Sequence, residues 1–588
     1  MHTSIPESKL GEPIAAATGS VAAKSSSLPL RPKKLLADSP SPPRILIIGA
    51  GSRGHAYASA VAKHTAAIIA AVAEPIEFKR REFVSHFINR GPLASVETEE
   101  GGEHEQQAFA DWRDYVDWEK ARRERAKKAS SAGEAGKVPA GVDAAFVCVL
   151  DEQHREVVEG LAPLGLAVMC EKPLATTLAD CVAIYDAMLR GGQGSVPRIF
   201  GIGHVLRYSP HNMLLRQLVR EQGVVGDVLS VEHTEPVGWW HFSHSYVRGN
   251  WRRESTTAPS LLTKSCHDID FLLWMLSEPA KEGEKTHKPA FLNSTGTRNF
   301  YRRARKPAAA GTATNCLSCP IEKDCMFSAK KIYAERHLRK GNARWPVKIV
   351  NPEIEDCLST LGPDAAEKML MKDLSEDWTS ETPDEEVRRR PWFGRCVWEA
   401  DNDVCDDQCV TITWEDDAAS GSLAKTAQFH MVAFTEKICE RRGRIYGTKG
   451  EIEYDSATIR VHDFATDRTE TFYPEQRGGG HGGGDDGLAT QFVQAVGAVK
   501  DGRMGVEEAQ QKFIGCTLEE VIQSHAMVFA AEDARKQRAV VDWHSWWQKN
   551  VEERLQHQPT ASPRSPAHSR ANSGPQQPPG SAAASMMS

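Results

Sequence analysis

The chain has 588 residues, with 72 Lys+Arg against 79 Asp+Glu for a formal charge of −7, and 40% hydrophobic and 26% charged residues. That is the composition of a water-soluble globular protein, and the mildly acidic balance lacks the electrostatic footprint of a nucleic-acid binder. No run approaches the ~18 apolar residues that span a bilayer. The first forty residues lack the basic start and apolar stretch of a secretory signal. Thirteen cysteines, odd in number and widely spread, read as reduced thiols or metal ligands rather than a secreted disulfide framework. A cytoplasmic protein is expected, with neither nucleic acid nor membrane as partner.

Residues 1–43 and 554–588 are rich in Ser, Pro and Ala with almost no large apolar side chains, so both ends read as disordered tails. The folded part opens with RILIIGA (44–50), a β-branched strand running into glycines. A small-residue helix follows, then TAAIIAAVAEP (65–75) as a second strand and an amphipathic stretch over 76–90. Between about 91 and 141 the periodicity fails, apart from an aromatic knot at 110–118, and an insertion is expected there. VDAAFVCVL (142–150), a helix over 154–163, the strand of LAVMCEKP (166–173) and a helix over 177–190 resume the alternation. Strands spaced by such helices imply βαβ units and a parallel sheet, here a nucleotide-binding Rossmann domain over 44–200. Beyond it, alternating runs at 227–237, 409–414, 424–435, 444–455 and 458–464, with GTKG as a hairpin turn, predict an open, largely antiparallel sheet in a second α/β domain over 201–553.

Five stretches could carry chemistry. GAGSRG places Gly49, Gly51 and Gly54 between a strand and a helix. These glycines give a tight turn, close approach to a pyrophosphate and close helix–strand packing, with Ser52 and Arg53 at the helix start. Glu74 closes the second strand, placed to accept from a ribose hydroxyl, which favours NAD. Arg53 could instead accommodate the 2′-phosphate of NADP. Glu171-Lys172-Pro173 ends a strand at the edge where parallel sheets hold ligands, and a lysine there can do acid/base work. CHDIDFLLWML (266–276) puts His267 and Asp270 on one side of an apolar helix. HTEPVGWWHFSHSYVRGNW (233–251) interleaves Trp240, His241, His244 and Arg248, a mixture that suits either a polyhydroxylated ligand or a core. GGGHGGGDDG (478–487) carries His481 in a glycine run that reads as a linker or a loop closing over a site. Cys316, Cys319 and Cys325 have spacings that could bind structural zinc, with Cys357 or, preferably, Cys396 as fourth ligand; their sulfurs would then converge to about 4 Å.

In order, GAGSRG, CEKPLA and CHDIDFLLW resemble the Gfo/Idh/MocA oxidoreductase family over roughly residues 44–530. GHVLRYSP with Tyr208, the tryptophan-rich stretch, CLSCPIEKDC and HGGGD are similar to its streptomycin-biosynthesis-type and inositol-dehydrogenase-like members. The resemblance implies a Rossmann domain followed by a domain whose sheet walls the active site and often forms an oligomer interface. It implies hydride transfer between nicotinamide and the hydroxyl-bearing carbon of a sugar, sugar acid or cyclitol. It also implies that Lys172 and His267 face the reacting hydroxyl, with His154 and Glu171 near the cofactor and Tyr208, Trp240, His241, His244, Arg248 and His481 toward substrate. Two departures stand out. The aspartate that many members carry four residues before the histidine is Thr263, so Lys264 or Asp270 would have to assist, or the role is not needed. The Thr-Pro pair that members often carry is replaced by VLDEQH (149–154). Competing readings are a non-catalytic dinucleotide-binding regulator and a relative that uses bound NAD without net NADH production.

Overall fold

The computed structural model describes residues 41–89, 107–131, 138–190, 198–280, 283–418, 421–475 and 480–557. The expectations for residues 1–40 and 558–588 lie outside them. The first sheet has six strands: β1 (Arg44–Ile48), β2 (Ile68–Ala73), β3 (Ala108–Phe109), β4 (Ala144–Val147), β5 (Ala167–Cys170) and β6 (Phe200–Ile202). They pair in the order 3-2-1-4-5-6, all parallel. The strands read as unbroken apolar runs because helices cover both faces, leaving Ile45, Ile47, Val72 and Phe146 without exposed surface. Counting helices of eight residues or more, α1 (Ser52–His64), α2 (Trp112–Ser131), α3 (His154–Leu161) and α4 (Leu178–Arg190) belong to this layer.

Part of the expected insertion is integral to that sheet. β3 pairs in parallel with β2 through Val72 and Ala108. The aromatic knot is its cover: Phe109, Tyr115 and Trp118 meet with ring centroids 5.2–6.0 Å apart. A two-residue strand is too short to show a period, which is why the pattern failed there.

The second sheet has nine strands: β7 (Val228–Pro236), β8 (Phe291–Thr297), β9 (Asp407–Trp414), β10 (Lys425–Val432), β11 (Arg442–Gly447), β12 (Gly450–Tyr454), β13 (Ile459–Asp463), β14 (Arg468–Phe472) and β15 (Val541–Asp542). Their order is 14-13-12-11-7-10-9-8-15. Only β7 and β10 run parallel; the other pairs are antiparallel. Its inner side chains, among them Val410, Ile412, Trp414 and Phe429, pack under α5 (Ser260–Leu276), all of whose residues are buried. Between the neighbours β8 and β9 the chain makes a long excursion, residues 298–406. It is built largely of single helical turns with α6 (Ile354–Leu361) and α7 (Pro363–Ser375), and has a small core of its own around Tyr333, Leu338, Leu370 and Phe393. Two helices then return toward the first sheet. α8 (Gly484–Lys500) sets Phe492 5.1 Å from Phe146, and α9 (Leu518–Gln537) brings His525 to the loop after β5.

Candidate active site

Gly49 follows β1 with φ +94°, and a Cβ there would meet the Cys148 carbonyl oxygen at 2.5 Å. A Cβ on Gly54 would sit 2.1 Å from the Gly49 oxygen, whereas one on Gly51 would meet nothing within 4 Å. The turn is therefore closed on the protein side and open on the other, at the start of α1, where no side chain caps the first amides. Such free N–H groups with room beside them form a phosphate cradle. It lies where the strand order reverses between β1 and β4, the crevice of an open α/β sheet. Ser52 is exposed at the first helical position. Glu74 is buried, accepting from Ala50 N at 2.8 Å and Ile76 N at 3.0 Å, which pins its carboxylate beside the cradle.

Arg53 is committed elsewhere. Its Nε donates to Glu171 at 2.7 Å and its terminal nitrogens to both Asp485 oxygens at 2.9 and 3.1 Å. Glu171 also accepts from Tyr57 Oη and from the Lys172 amide. Burial alone would raise its carboxyl, but Arg53 and Lys172 outweigh that and hold it below the usual range. Glu171 and Asp485 thus fix the Arg53 guanidinium from two sides.

Lys172 Nζ donates to the Thr263 carbonyl oxygen at 2.8 Å and lies 5.9 Å from the Trp251 ring. Thr263 stands one helical turn before His267 on α5, so the lysine docks on the helix that carries the histidine. The following turn is held from two sides. His154 donates from Nδ1 to the Pro173 carbonyl at 2.7 Å, and Leu174 N donates to His525 Nε2 at 2.8 Å.

His267 is only 2% exposed. Its Nε2 lies 2.9 Å from Arg441 Nη2, and its Nδ1 is buried without a partner. A guanidinium only donates, so Nε2 is the acceptor and Nδ1 carries the proton. Burial, then the charges of Arg441, Lys172, His481 and Lys264, push the imidazole well below its ordinary value and keep it neutral. The His481 ring covers it, centroids 5.8 Å apart, and itself lies 3.2 Å from Asp485. From Gly480 onward, the described part of the glycine run therefore sets His481 over this histidine.

Several expectations need correcting. Asp270 does not assist His267: both its oxygens are gripped by Arg207 at 2.7 and 2.8 Å in the core, where burial is outweighed by the guanidinium and the carboxyl stays ionised. Lys264 is occupied by Cys439 Sγ at 2.9 Å and Glu235 at 3.2 Å. The carboxylate beside His267 is Asp268, 3.9 Å from Nε2, bound by Arg441 and by His233. Tyr208 is buried and donates to the Ile514 carbonyl. Trp240, His244 and Arg248 also face away from the site. Spaced four apart on one helical segment, they share a face that docks on the excursion: Trp240 on Trp345, His244 on Tyr333 and Phe393, and Arg248 on Arg395 O, Phe327 O and Cys316 Sγ. His241 Nδ1 lies 3.7 Å from Cys439 Sγ, which accepts from Lys264.

Sequence reasoning missed Arg441, Asp268, Asp151 and Trp251. Trp251 Nε1 donates to Asp151 Oδ2 at 2.8 Å, and burial raises the Asp151 carboxyl against the opposing charges of His154 and Lys172. Asp151 stands in the stretch that replaces the Thr-Pro pair, which was the available signal. Arg441, 174 positions from His267, had none.

Structural zinc is not supported. Cys316, Cys319, Cys325 and Cys396 do line one cavity. Yet the one set of three His, Cys, Asp or Glu ligand atoms within 4.8 Å of one another among the described residues is Asp407, Cys409 and His430, on the second sheet. Four thiolates on one tetrahedral zinc need about 3.8 Å between sulfurs.

Residues 43–193 match the model of an oxidoreductase family with an NAD-binding Rossmann fold, GFO_IDH_MocA. In this segment the chain is similar to the Gfo/Idh/MocA oxidoreductase family. Among curated relatives, inositol 2-dehydrogenase 2 of Saccharopolyspora erythraea is 30% identical over 140 residues, 24% of this chain and 36% of that protein. The 2,7-anhydro-N-acetylneuraminate hydratase of Escherichia coli is 29% identical over 137 residues, 23% and 34% of the two chains. The match thus spans about a third of each relative's length. The fold match is longer: an inositol dehydrogenase homologue from Azotobacter vinelandii, solved with NAD+, aligns with a TM-score of 0.52 at 13% identity, covering 86% of this chain and 98% of that one. At that identity it speaks for the fold alone. Among the described residues no helix is long and apolar enough to cross a membrane.

Proposed function

We propose that this chain is a Gfo/Idh/MocA-family, NAD-dependent oxidoreductase acting on a CH–OH group of a small sugar, sugar acid or cyclitol. The observation that carries the reading is the docking of Lys172 one helical turn from His267, at the carboxyl edge of the parallel sheet and beside the open glycine cradle. The cradle, the uncapped start of α1 and the pinned carboxylate of Glu74 fit a dinucleotide, with the phosphates on the amides and Glu74 toward a ribose. Arg53, locked by Glu171 and Asp485, offers nothing to a 2′-phosphate, which supports NAD over NADP.

The bound dinucleotide supplies a hydride acceptor at the nicotinamide. The protein's own part is to hold the alcohol and take its proton. The lone pair of His267 is used by Arg441, so this imidazole is a donor: its Nδ1–H orients the substrate oxygen. Lys172 is then the group that exchanges the proton, with Asp151 and Trp251 fixing its surroundings. Displacing the His481 loop admits substrate. The relatives named as inositol 2-dehydrogenases support the cyclitol class. The hydratase relative favours a second reading, in which the same site works without net redox change. Incubating the protein with NAD and a panel of polyols and sugars tests both. Net NADH formation supports the dehydrogenase; product formation without it supports the hydratase-like reading. A homo-oligomer formed through the outer face of the second sheet belongs to the same proposal, since Thr411, Thr413 and Gln428 there are partly or fully exposed.

A further inference from the structure

Residues 303–340 of the excursion fold as a succession of single turns, one of which holds Cys316 and another of which is flanked by Cys325. Single helical turns have little stability of their own and commonly depend on packing, a cross-link or a metal. No disulfide is present: all thirteen cysteines are free thiols. Four of them, from two separate stretches of chain, nevertheless converge on one small cavity of ≈20 Å³, closed by Phe327, Trp398 and Arg248.

Arg248 is the second observation. It is 1% exposed and donates to two backbone carbonyls and to Cys316 Sγ at 3.4 Å, while Nη1 is buried without an acceptor. Among the described residues no carboxylate pairs with it. A buried guanidinium without a counter-charge is costly, and neutral thiols do not relieve it. Thiolates holding a metal centre of net negative charge do. The sulfurs are too widely spaced for one tetrahedral ion. In a polynuclear cluster each thiolate binds its own iron, so the sulfurs stand further apart.

We propose that Cys316, Cys319, Cys325 and Cys396 hold a four-iron iron–sulfur cluster, with Arg248 donating to one of its sulfur ligands. The cluster would pin the excursion to the helical segment over 239–252. Trp251, three residues after Arg248, reaches Asp151 and Lys172, so the cluster would also steady one wall of the active site from outside it.

The test is to purify the full chain without air and measure metal, acid-labile sulfide and the visible spectrum. Roughly four iron and four sulfide per chain are expected, with a broad thiolate-to-iron absorption that dithionite bleaches. Cys396→Ser should lose colour and iron, while Cys409→Ser, an exposed cysteine on β9, should retain both. Stoichiometric zinc in a colourless protein would overturn the proposal. So would a metal-free protein that stays colourless after air-free incubation with ferric iron, sulfide and a dithiol reductant. Both readouts come from the unmodified chain, so they stand even if Cys396→Ser fails to fold.

Discussion

Replacing His525 by Phe separates two contributions of one buried imidazole. In the folded protein His525 is unexposed, donates from Nδ1 to the Val521 carbonyl and accepts at Nε2 from Leu174 N. Val521 O keeps its helical partner without the ring, but the Leu174 amide is left buried and unpaired. That loss should cost about 1–3 kcal/mol near neutral pH. Burial, and to a lesser extent His204, push the imidazole down to about 3. The unfolded chain therefore binds a proton near pH 6.5 that the folded chain refuses. Stability from this group is present above the unfolded pKa and is lost as pH falls from there toward the folded one. By about pH 5 the wild type should have lost about 2 kcal/mol through this group, and the Phe variant none of it. The neighbouring His204 and Asp270 titrate in both proteins and cancel to first order. Urea unfolding followed by tryptophan fluorescence, near neutral pH and at about pH 5, should show the gap between the two proteins closing. A gap that stays constant with pH would refute a neutral buried His525. His525→Gln, whose carbonyl can still accept from Leu174, should keep most of the neutral-pH stability.

Lys172→Ala and His267→Ala should each lower turnover by roughly 10²–10⁴-fold with NAD affinity nearly unchanged; near-normal turnover in both would remove the catalytic assignment. NAD should bind more tightly than NADP in direct titrations, and the reverse order would mean that Arg53 leaves its two carboxylates. Gly54→Ala drives a Cβ into the Gly49 carbonyl at 2.1 Å and should lose NAD binding or folding. Gly51→Ala has room in the protein, so it should fold normally and weaken NAD alone. Equal behaviour of the two variants would contradict the cradle.

The first sheet was readable because buried parallel strands are continuous apolar runs bounded by glycine and separated by helices. Every strand of it that is four residues or longer was marked. In the second sheet the period of two exposed β7 and β9–β13, while β8, β14 and β15 escaped. β8 is parted from β9 by the whole of residues 298–406, and β15 has two residues. In the candidate site, the residues legible from the sequence were those standing in local motifs: the glycines, Glu74, Lys172 and His267. Arg441 and Asp268 act through pairings across the second sheet, and no spacing along the chain encodes such partners. The stretch 233–251 misled for a different reason. Its aromatic and basic residues look alike in composition, but helical geometry sends Trp240, His244 and Arg248 to one neighbour and leaves Trp251 to meet Asp151.

The pairing of Arg53 with Asp485 joins positions 432 apart, and Phe146 meets Phe492 across a similar separation. The dinucleotide unit is therefore not a contiguous cassette. Cut after Ile202, it would expose the face that α8 covers and leave the Arg53 guanidinium with Glu171 alone. During synthesis roughly 280 residues separate Ile202 from Gly484, which takes roughly 14–56 s at ~5–20 residues per second. For that interval the nascent first sheet waits, incomplete, for a helix still inside the ribosome, and the window gives chaperones a defined surface to guard.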